Sequence, residues 1–406
     1  MTIGIGGSTS AVELAKLKDM TSGVQPIAKA EFVSRIEKAQ RLMNEHGIDA
    51  IYVNAGTNLY YFTGTRWRPS ERMVGAIIPR DGELQYIAPA FEEKTLKEYM
   101  LNEGSVNVWE EHESPYTLFG RLLTALNIPG GSTIGIDEST AFFTFDGIQQ
   151  ASPQYRYCDA RPVTARCRMI KSAAELALLQ RAKDMTLEVH KSAARILEPG
   201  ITTTQVTAFI DSAHQAVGAE GGSSFCIVLF GEASAYPHGV KHPQQLQEND
   251  MVLIDTGCLL GGYNSDITRS YVYGEPSERQ RRVWNTEKAA QAAAFAAAQP
   301  GVPCSSVDAA ARKVLEAEGF GPGYKIPGLP HRTGHGIGLD IHEWPYLVGG
   351  DQTPLTTGMC FSNEPMICIP GEFGIRHEDH FYMTDAGPRW FTQPAHSIDD
   401  PFAYEA

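Results

Sequence analysis

Carboxylates at the edges of apolar, strand-like runs are the feature that most constrains the fold of this chain. Asp255 ends one such run, and Asp266 precedes the next, after a Gly-Gly turn. A hairpin between the two runs would bring both carboxylates together, and a buried charge needs a partner. Two adjacent buried carboxylates repel each other unless they share a proton or hold a cation. The alternative is that one aspartate caps a turn while the other pairs with Arg269.

Two further carboxylates repeat this pattern, and a histidine-rich segment precedes them. Glu364 follows one apolar run, and Glu378 lies on another strand-like run. The segment before them carries His331, His335 and His342 interleaved with glycines. Glycines let the backbone pass close to a crowded site, and imidazole is the commonest neutral metal ligand. A single histidine here would more often be structural, so it is the cluster that indicates a function.

Together these residues predict a site for two divalent cations. Two such ions would neutralise the four carboxylates, which could not all stay ionised in a buried site on their own. A set rich in oxygen with one nitrogen suits Mn2+, Co2+, Fe2+ or Zn2+ rather than an ion that prefers thiolates. Mn2+ is the expected ion. The predicted metal ligands are Asp255, Asp266, His335, Glu364 and Glu378.

Charge and cysteine usage exclude several other classes of protein. The formal net charge is −14 and the pI is near 5.3, whereas a nucleic-acid-binding face would be basic. No stretch approaches the roughly 20 apolar residues of a membrane span, and no secretion signal is recognisable. The seven cysteines are scattered without a Cys-x-x-Cys pair, which favours reduced thiols. The chain is therefore expected to be cytoplasmic, with no nucleic-acid or membrane partner.

The length of 406 residues suits about two domains. Residues 1–25 are predicted to be a flexible lead-in, and residues 26–165 an α/β domain without a phosphate-binding glycine loop. Residues 166–406 are predicted to form a second domain from two similar halves. In each half, two helical segments separated by a Pro-Gly pair precede apolar strands, and the site is expected at the junction of the halves.

At the metal-binding residues the sequence resembles the family of methionine aminopeptidase, aminopeptidase P, prolidase and creatinase. The resemblance runs over nearly the whole second domain, from Arg168 and Lys171 to near Asp385. The first domain resembles the creatinase-type N-terminal domain through its organisation more than through a motif. This resemblance implies an α/β creatinase-like domain followed by an α+β pita-bread catalytic domain with a pseudo-twofold internal repeat.

The family pattern also implies roles for the ligands. Asp255 would chelate one metal ion, and His335 and Glu364 would bind the other. Asp266 and Glu378 would bridge the two ions, with a hydroxide between them as the nucleophile. Glu364 would also carry a proton from the water to the departing amine.

Three histidines and an arginine resemble further parts of the family site. His238 matches the histidine that approaches the substrate backbone, and His342 the one that hydrogen-bonds the scissile carbonyl. His331, four positions before the metal-binding histidine, is absent from methionine aminopeptidases and is a further catalytic candidate. Arg376 is expected to support the ligands and is a candidate substrate contact.

Within the family, the features favour an Xaa-Pro dipeptidase. The chain carries a large N-terminal domain, unlike methionine aminopeptidases, and keeps all five ligands, unlike creatinase. An imide bond to proline has no N–H and requires a dedicated pocket. The alternatives are an aminopeptidase P that acts on longer Xaa-Pro peptides and a hydrolase of a small non-peptide amide. A non-catalytic relative that only binds proteins would be expected to have lost ligands.

Two local features bear on the substrate. Trp67 and Arg68 lie in a loop that, in a homodimer, would close the partner's pocket and bind the free carboxylate of a dipeptide. The competing interpretation is a solvated loop with Trp67 packed locally. Cys368 stands where the family commonly has tyrosine, so rate or substrate choice would be atypical while metal binding persists.

Overall fold

The structure, a computed structural model, describes residues 2–405, which form two compact units. The first unit is Ile27–Arg168. The second contains residues 169–405 together with residues 2–26. Each unit has its own sheet and apolar core.

Residues 2–25 differ from the flexible lead-in that the sequence predicts. They contain the helix Ser10–Lys16, and their backbone is hydrogen bonded to the second unit. The N–H of Gly6 donates to the carbonyl of Ala194 (2.9 Å), and that of Met20 donates to the carbonyl of Val217 (2.9 Å). Both carbonyls lie at C-terminal ends of helices, where carbonyls have no partner within the helix. Such backbone pairing leaves no side-chain pattern, which is why the sequence did not reveal it.

The first unit is a six-stranded mixed sheet flanked by helices. The central strand Ala50–Asn54 pairs antiparallel with Gly75–Pro79 and parallel with Thr133–Ile136. In sheet order the strands are Ser105–Trp109, Gln85–Pro89, Gly75–Pro79, Ala50–Asn54, Thr133–Ile136 and Arg156–Asp159. The helices are Lys29–His46, Thr57–Thr63, Glu93–Tyr99, Pro115–Ala125, Phe142–Ala151 and Thr164–Arg168, with a 3-10 turn at Ala90–Glu92.

The first long helix of this unit is closed by a glycine. Phe32, Ala39 and Met43 are buried along one face of Lys29–His46. Gly47 follows in the left-handed conformation (φ 65°), and its N–H donates to the carbonyl of Met43. Glycine adopts this conformation without the steric cost that a Cβ imposes.

The second unit repeats one arrangement, two helices followed by antiparallel strands. The first half contains the helices Ala173–Arg195 and Thr203–Ala216, a 3-10 turn at Gly231–Ala235, and the strands Ser223–Phe230, Met251–Leu260, Tyr263–Asn264 and Ile267–Val272. The second half contains the helices Glu278–Ala297 and Cys304–Ala317, and the strands Gly334–Gly336, Glu343–Leu347, Cys360–Asn363, Met366–Ile369, Phe373–Arg376, Asp379–Thr384 and Gly387–Trp390. Three of the four long helices begin with a capping box, in which a Ser or Thr hydroxyl and a Glu or Gln side chain satisfy the free backbone N–H groups.

The sheets of the two halves meet at one backbone bridge. In the first half, Met251–Leu260 lies between Ser223–Phe230 and Ile267–Val272. In the second, Cys360–Asn363 pairs with Asp379–Thr384 in a five-stranded sheet. Thr268 and Glu378 form an isolated antiparallel bridge, and the Glu378 N–H donates to the Thr268 carbonyl (3.1 Å). Carboxylates from both halves are thereby brought together. No helix among residues 2–405 is long and apolar enough to cross a membrane.

Candidate metal centre

The hairpin predicted around Asp255 and Asp266 is present. Thr268 on the strand Ile267–Val272 is opposite Asp255 on the strand Met251–Leu260, and Asp266 comes directly before the second strand. Both aspartates are buried. The alternative that one of them pairs with Arg269 is wrong, because the Arg269 Nη2 donates to Asp379 Oδ1 at 2.7 Å.

The second half contributes the other predicted ligands from strand ends. His335 lies in the short strand Gly334–Gly336, and Glu364 follows the strand Cys360–Asn363. His335 Nε2 is 3.1 Å from Glu364 Oε1 and 3.6 Å from Asp266 Oδ2. One ligand atom from each of Asp266, His335 and Glu378 lies within 4.8 Å of the other two. These three buried residues form a group that can hold a metal ion.

The hydrogen bonds of this group fit a bound cation. His335 Nδ1 donates to the Gly336 carbonyl (3.0 Å), so the lone pair of the neutral ring is on Nε2, which faces the carboxylates. A histidine ligand oriented by a carbonyl in this way is usual in metal sites. Asp255 Oδ1 and Asp266 Oδ1 are buried without a hydrogen-bond partner in the structure. Buried acceptors without a partner favour a bound cation or a shared proton.

Burial and repulsion perturb the acidic groups strongly. Burial first, and then the charges of Glu378, Asp255 and Glu364, raise the pKa of Asp266 well above its ordinary value. Burial likewise raises the pKa of Glu378 well above its ordinary value, with Glu364 and Asp255 adding to it. Burial also opposes ionisation of Glu364, but when His335 is protonated its hydrogen bond and its charge outweigh burial and lower the pKa of that carboxyl. With the neutral ring that a metal ion requires, His335 supplies neither a charge nor a proton to Glu364.

Asp255 has a basic partner within the second unit. The Arg376 Nη2 donates to Asp255 Oδ2, and the Arg376 Nε donates to the Thr268 hydroxyl at 3.1 Å. Thr268 in turn donates to Glu378 Oε2 at 2.8 Å. Arg376 thus connects Asp255 of the first half, through the Thr268 hydroxyl, to Glu378 of the second half.

Two supporting residues, Thr268 and His380, were missed by the sequence interpretation. His380 Nε2 is 3.3 Å from Glu378 Oε1, and both side chains are buried. Each missed residue comes two positions after a ligand, Thr268 after Asp266 and His380 after Glu378. In a strand, residues i and i+2 point to the same face, so this alternation was the signal that would have found them.

A cavity of about 300 Å³ is lined by Glu364, whose Oε1 is 3.1 Å from His335 Nε2. Arg376, the partner of Asp255, also lines it, so the cavity reaches one predicted ligand and the arginine that supports another. His342 lies with its ring centroid 4.1 Å from that of His335, and His331 Nδ1 donates to the Arg332 carbonyl at 2.7 Å. The predicted histidines line the same cavity, together with two prolines and an arginine: His238, His331, His342, Pro237, Pro330 and Arg332.

Three other predicted residues are not among those that line this cavity. Trp67 is half-buried in the first unit, edge-on to Tyr99 with ring centroids 6.2 Å apart, and Arg68 is exposed. Cys368 is buried in the strand Met366–Ile369, and its N–H donates to the Gly328 carbonyl (3.0 Å). Burial raises the pKa of the Cys368 thiol to about 12, so this side chain is neutral near pH 7.

Comparisons with known proteins identify both units. Residues 177–385 match the model of metallopeptidase family M24, and residues 35–170 match that of the creatinase/prolidase N-terminal domain. The chain is 31% identical over 360 residues to the Xaa-Pro dipeptidase of Pyrococcus furiosus, covering 88% of this chain and 97% of that protein.

Solved structures agree with these matches. The dipeptidase PepE from Mycobacterium ulcerans superposes with a TM-score of 0.85 at 32% identity, covering 92% of this chain and 99% of that one. A prolidase from Thermococcus sibiricus superposes with a TM-score of 0.81 at 31% identity, covering 89% and 97%. The family resemblance and the two-part fold predicted from the sequence, a creatinase-like domain and a pita-bread domain, are confirmed.

Proposed function

This chain belongs to metallopeptidase family M24, and we propose that it is an Xaa-Pro dipeptidase. Membership of the family makes it a peptidase that uses divalent metal ions. The observation that carries the narrower proposal is a buried acidic group with one histidine beside a small cavity lined by three more histidines. Ligand pockets range from roughly 300 to 1,000 Å³, so a cavity of about 300 Å³ suits a small substrate. The names of two similar proteins, a dipeptidase and a prolidase, support the same substrate class.

We propose two divalent ions per chain, with Mn2+ as the expected metal. The residues that would hold them are Asp255, Asp266, His335, Glu364 and Glu378. When bound, such ions lower the pKa of a water molecule and polarise the scissile carbonyl. The unpartnered oxygens of Asp255 and Asp266 and the lone pair of His335 support this assignment.

Glu364 is proposed to move the proton in the reaction. It lines the cavity and its side chain is 14% exposed, so as a carboxylate it can accept a proton from the attacking water. The leaving nitrogen of proline must gain a proton as the C–N bond breaks, because a secondary amine is released. A carboxylate that has just taken the proton from water can return it there.

His342 is proposed to donate a hydrogen bond to the scissile carbonyl oxygen. Arg332 has only donors, so its hydrogen bond to His342 Nδ1 (3.2 Å) leaves the ring proton on Nε2. Burial, with the neighbouring His335 and Arg332, lowers the pKa of His342 to about 4, which keeps the ring neutral at pH 7. A neutral Nε2–H donor can stabilise negative charge that develops on the oxygen.

His238 and His331 are proposed to contact the substrate from the cavity wall. His238 is exposed beside the cavity, where it can reach the substrate backbone. His331 donates through Nδ1 to a carbonyl, and its buried Nε2 has no hydrogen-bond partner in the structure. This nitrogen is therefore an acceptor that a substrate N–H group can satisfy.

The remaining proposals concern the assembly and its surroundings. We propose a cytoplasmic homodimer, and the seven free cysteines support a reducing compartment. The proposal that Trp67 and Arg68 close a partner's pocket stays open, and the contact of Trp67 with Tyr99 supports the competing interpretation of local packing.

The test is an activity screen of protein treated with chelator and then given Mn2+, Co2+ or Zn2+. We expect hydrolysis of Ala-Pro that requires the metal and is lost in Glu378→Gln. Arg389→Gln, a change at an exposed position on the edge strand Gly387–Trp390, is the control and should retain full activity. Preference for Ala-Pro-Ala would indicate the aminopeptidase P alternative. Hydrolysis of neither peptide with any of these metals would refute the proposal.

A further inference from the structure

The cavity contains two guanidinium groups with different surroundings. Arg376 is 3% exposed and is paired with Asp255. Arg332 is half-buried, and no carboxylate among residues 2–405 forms an ion pair with it. A cation that faces a substrate cavity without an acidic partner favours an anionic ligand group.

Contacts with Tyr346 and His342 position Arg332, and they occupy few of its N–H donors. Its guanidinium carbon lies 4.3 Å from the ring centroid of Tyr346, so the planar group rests on the aromatic face. Among the described residues 2–405, its one side-chain hydrogen bond is from Nη2 to His342 Nδ1. A guanidinium has five N–H donors in a rigid fork that matches a carboxylate in two parallel hydrogen bonds. The remaining donors are therefore available to a bound carboxylate.

The position of Arg332 fits the length of a two-residue substrate. His342 lies between Arg332 and the metal-binding histidine, since it is hydrogen bonded to the first and its ring contacts that of His335. In an Xaa-Pro dipeptide, one proline residue separates the scissile carbonyl from the terminal carboxylate, roughly 3.8 Å of chain. A substrate whose scissile carbonyl reaches His342 thus extends its carboxylate toward Arg332. In a longer peptide that position is occupied by a neutral amide.

We propose that Arg332 binds the free carboxylate of the substrate and selects two-residue substrates over longer ones. This inference rests on the proposed function and specifies how its substrate is recognised. It needs only residues of the second unit, whereas the loop with Trp67 and Arg68 would act from the first unit of a partner. Arg376 does not take this role, because its charge is already paired with Asp255.

The test compares substrates that differ only in the carboxylate. For the wild-type protein, kcat/KM should be higher for Ala-Pro than for Ala-prolinamide. Arg332→Gln should lose roughly 10- to 100-fold more on Ala-Pro than on the amide, as expected when a hydrogen bond to a charged group is removed. Any loss that comes from the contact with His342 should be the same for both compounds. Arg332→Lys keeps the charge but lacks the paired donors of a guanidinium, so its kcat/KM on Ala-Pro should lie between those of the wild type and Arg332→Gln. Arg389→Gln should change neither value.

A binding measurement gives a readout that does not depend on turnover. In chelator-treated protein, Ala-Pro is not expected to be hydrolysed, so its affinity can be measured by calorimetry against that of Ala-prolinamide. Arg332→Gln should weaken the binding of Ala-Pro more than that of Ala-prolinamide. Equal loss on both compounds would overturn the proposal and make Arg332 a residue that only positions His342. No loss on either compound, or a wild-type protein indifferent to the carboxylate, would overturn it as well. If the protein does not hydrolyse Xaa-Pro bonds at all, the wild-type protein will hydrolyse neither compound, which separates failure of the proposed function from failure of this inference.

Discussion

Replacing Arg269 with methionine should destabilise the second unit by about 3–5 kcal/mol, the usual cost of breaking a buried ion pair. Arg269 and Asp379 have side chains that are 1% and 0% exposed, with Nη2 and Oδ1 2.7 Å apart. Without the guanidinium, Asp379 would keep only neutral donors, the Thr392 hydroxyl (2.8 Å) and the Gln291 amide (3.2 Å). Methionine fills much of the same space, so the expected cost comes from the uncompensated charge rather than from a cavity.

This magnitude is large against the stability of an ordinary domain, about 5–15 kcal/mol. A matched control is Arg279→Met, because Arg279 forms an ion pair with Glu372 in which the side chains are 46% and 44% exposed. Exposed pairs contribute about 0–1 kcal/mol, so the control should change little. Urea denaturation followed by tryptophan fluorescence measures both variants, and Trp284 reports on this region through its hydrogen bond to the Ser270 carbonyl (2.9 Å).

A double variant separates the cost of charge from the role in positioning the ligands. Replacing both Arg269 and Asp379 with apolar residues should recover most of the stability, because no buried charge is left unpaired. The metal affinity of this double variant should nevertheless be about 10- to 100-fold lower than that of the wild-type protein. The reason is that Arg269 Nη1 also donates to the carbonyls of Thr268 and Glu378, both at 3.0 Å. If Arg269→Met cost no more than the Arg279 control, the reasoning would be refuted.

Three further predictions concern metal binding and pH. Mn2+ at 100 times its Kd should stabilise the protein by about 2.7 kcal/mol, which is measured as a rise in melting temperature. Asp266→Asn should abolish this rise, and an unchanged rise would contradict the ligand assignment. Burial lowers the pKa of His214 to about 4, so the stability that the neutral ring contributes is present above about pH 6.5 and lost as the pH falls toward 4. His214→Gln should flatten this part of the plot of urea midpoint against pH. A plot with the same slope as that of the wild type would contradict this prediction. Burial, with the charge of Glu138, raises the pKa of Asp137 to about 6, so the stability that the protonated carboxyl contributes is lost as the pH rises from about 4 to 6. Asp137→Asn should remove this fall in stability from the plot of urea midpoint against pH. An unchanged fall would argue against the burial effect.

Local patterns made much of the fold predictable. The strand Thr133–Ile136 is a short apolar run between turn residues, and such a run has few other conformations. The hairpin that carries Asp255 and Asp266 was predictable for the same reason, since a turn between two apolar runs fixes their pairing.

Partners that are distant in sequence were not predictable in this way. Arg269 was weighed against the nearby aspartates, but its partner Asp379 is 110 positions away. Which carboxylate reaches Arg269 depends on how the two sheets meet at the bridge between Thr268 and Glu378, and no local pattern encodes that contact. The same holds for Arg332, whose aromatic support Tyr346 comes from the strand Glu343–Leu347.

The charge of the site argues for two cations rather than one. Four carboxylates with Arg376 and a neutral His335 leave about three negative charges in a buried group, and one divalent ion would leave about one. A second ion would make the group positive by about one charge, which favours the approach of an anionic nucleophile and of the substrate carbonyl oxygen. The arginine is therefore part of the charge balance: Arg376→Met removes one positive charge and should strengthen the attraction between the site and the second ion. Metal content per chain, measured at a free Mn2+ concentration that only partly loads the wild-type protein, should then rise toward two; a fall would mean that Arg376 acts mainly by holding Asp255 in position.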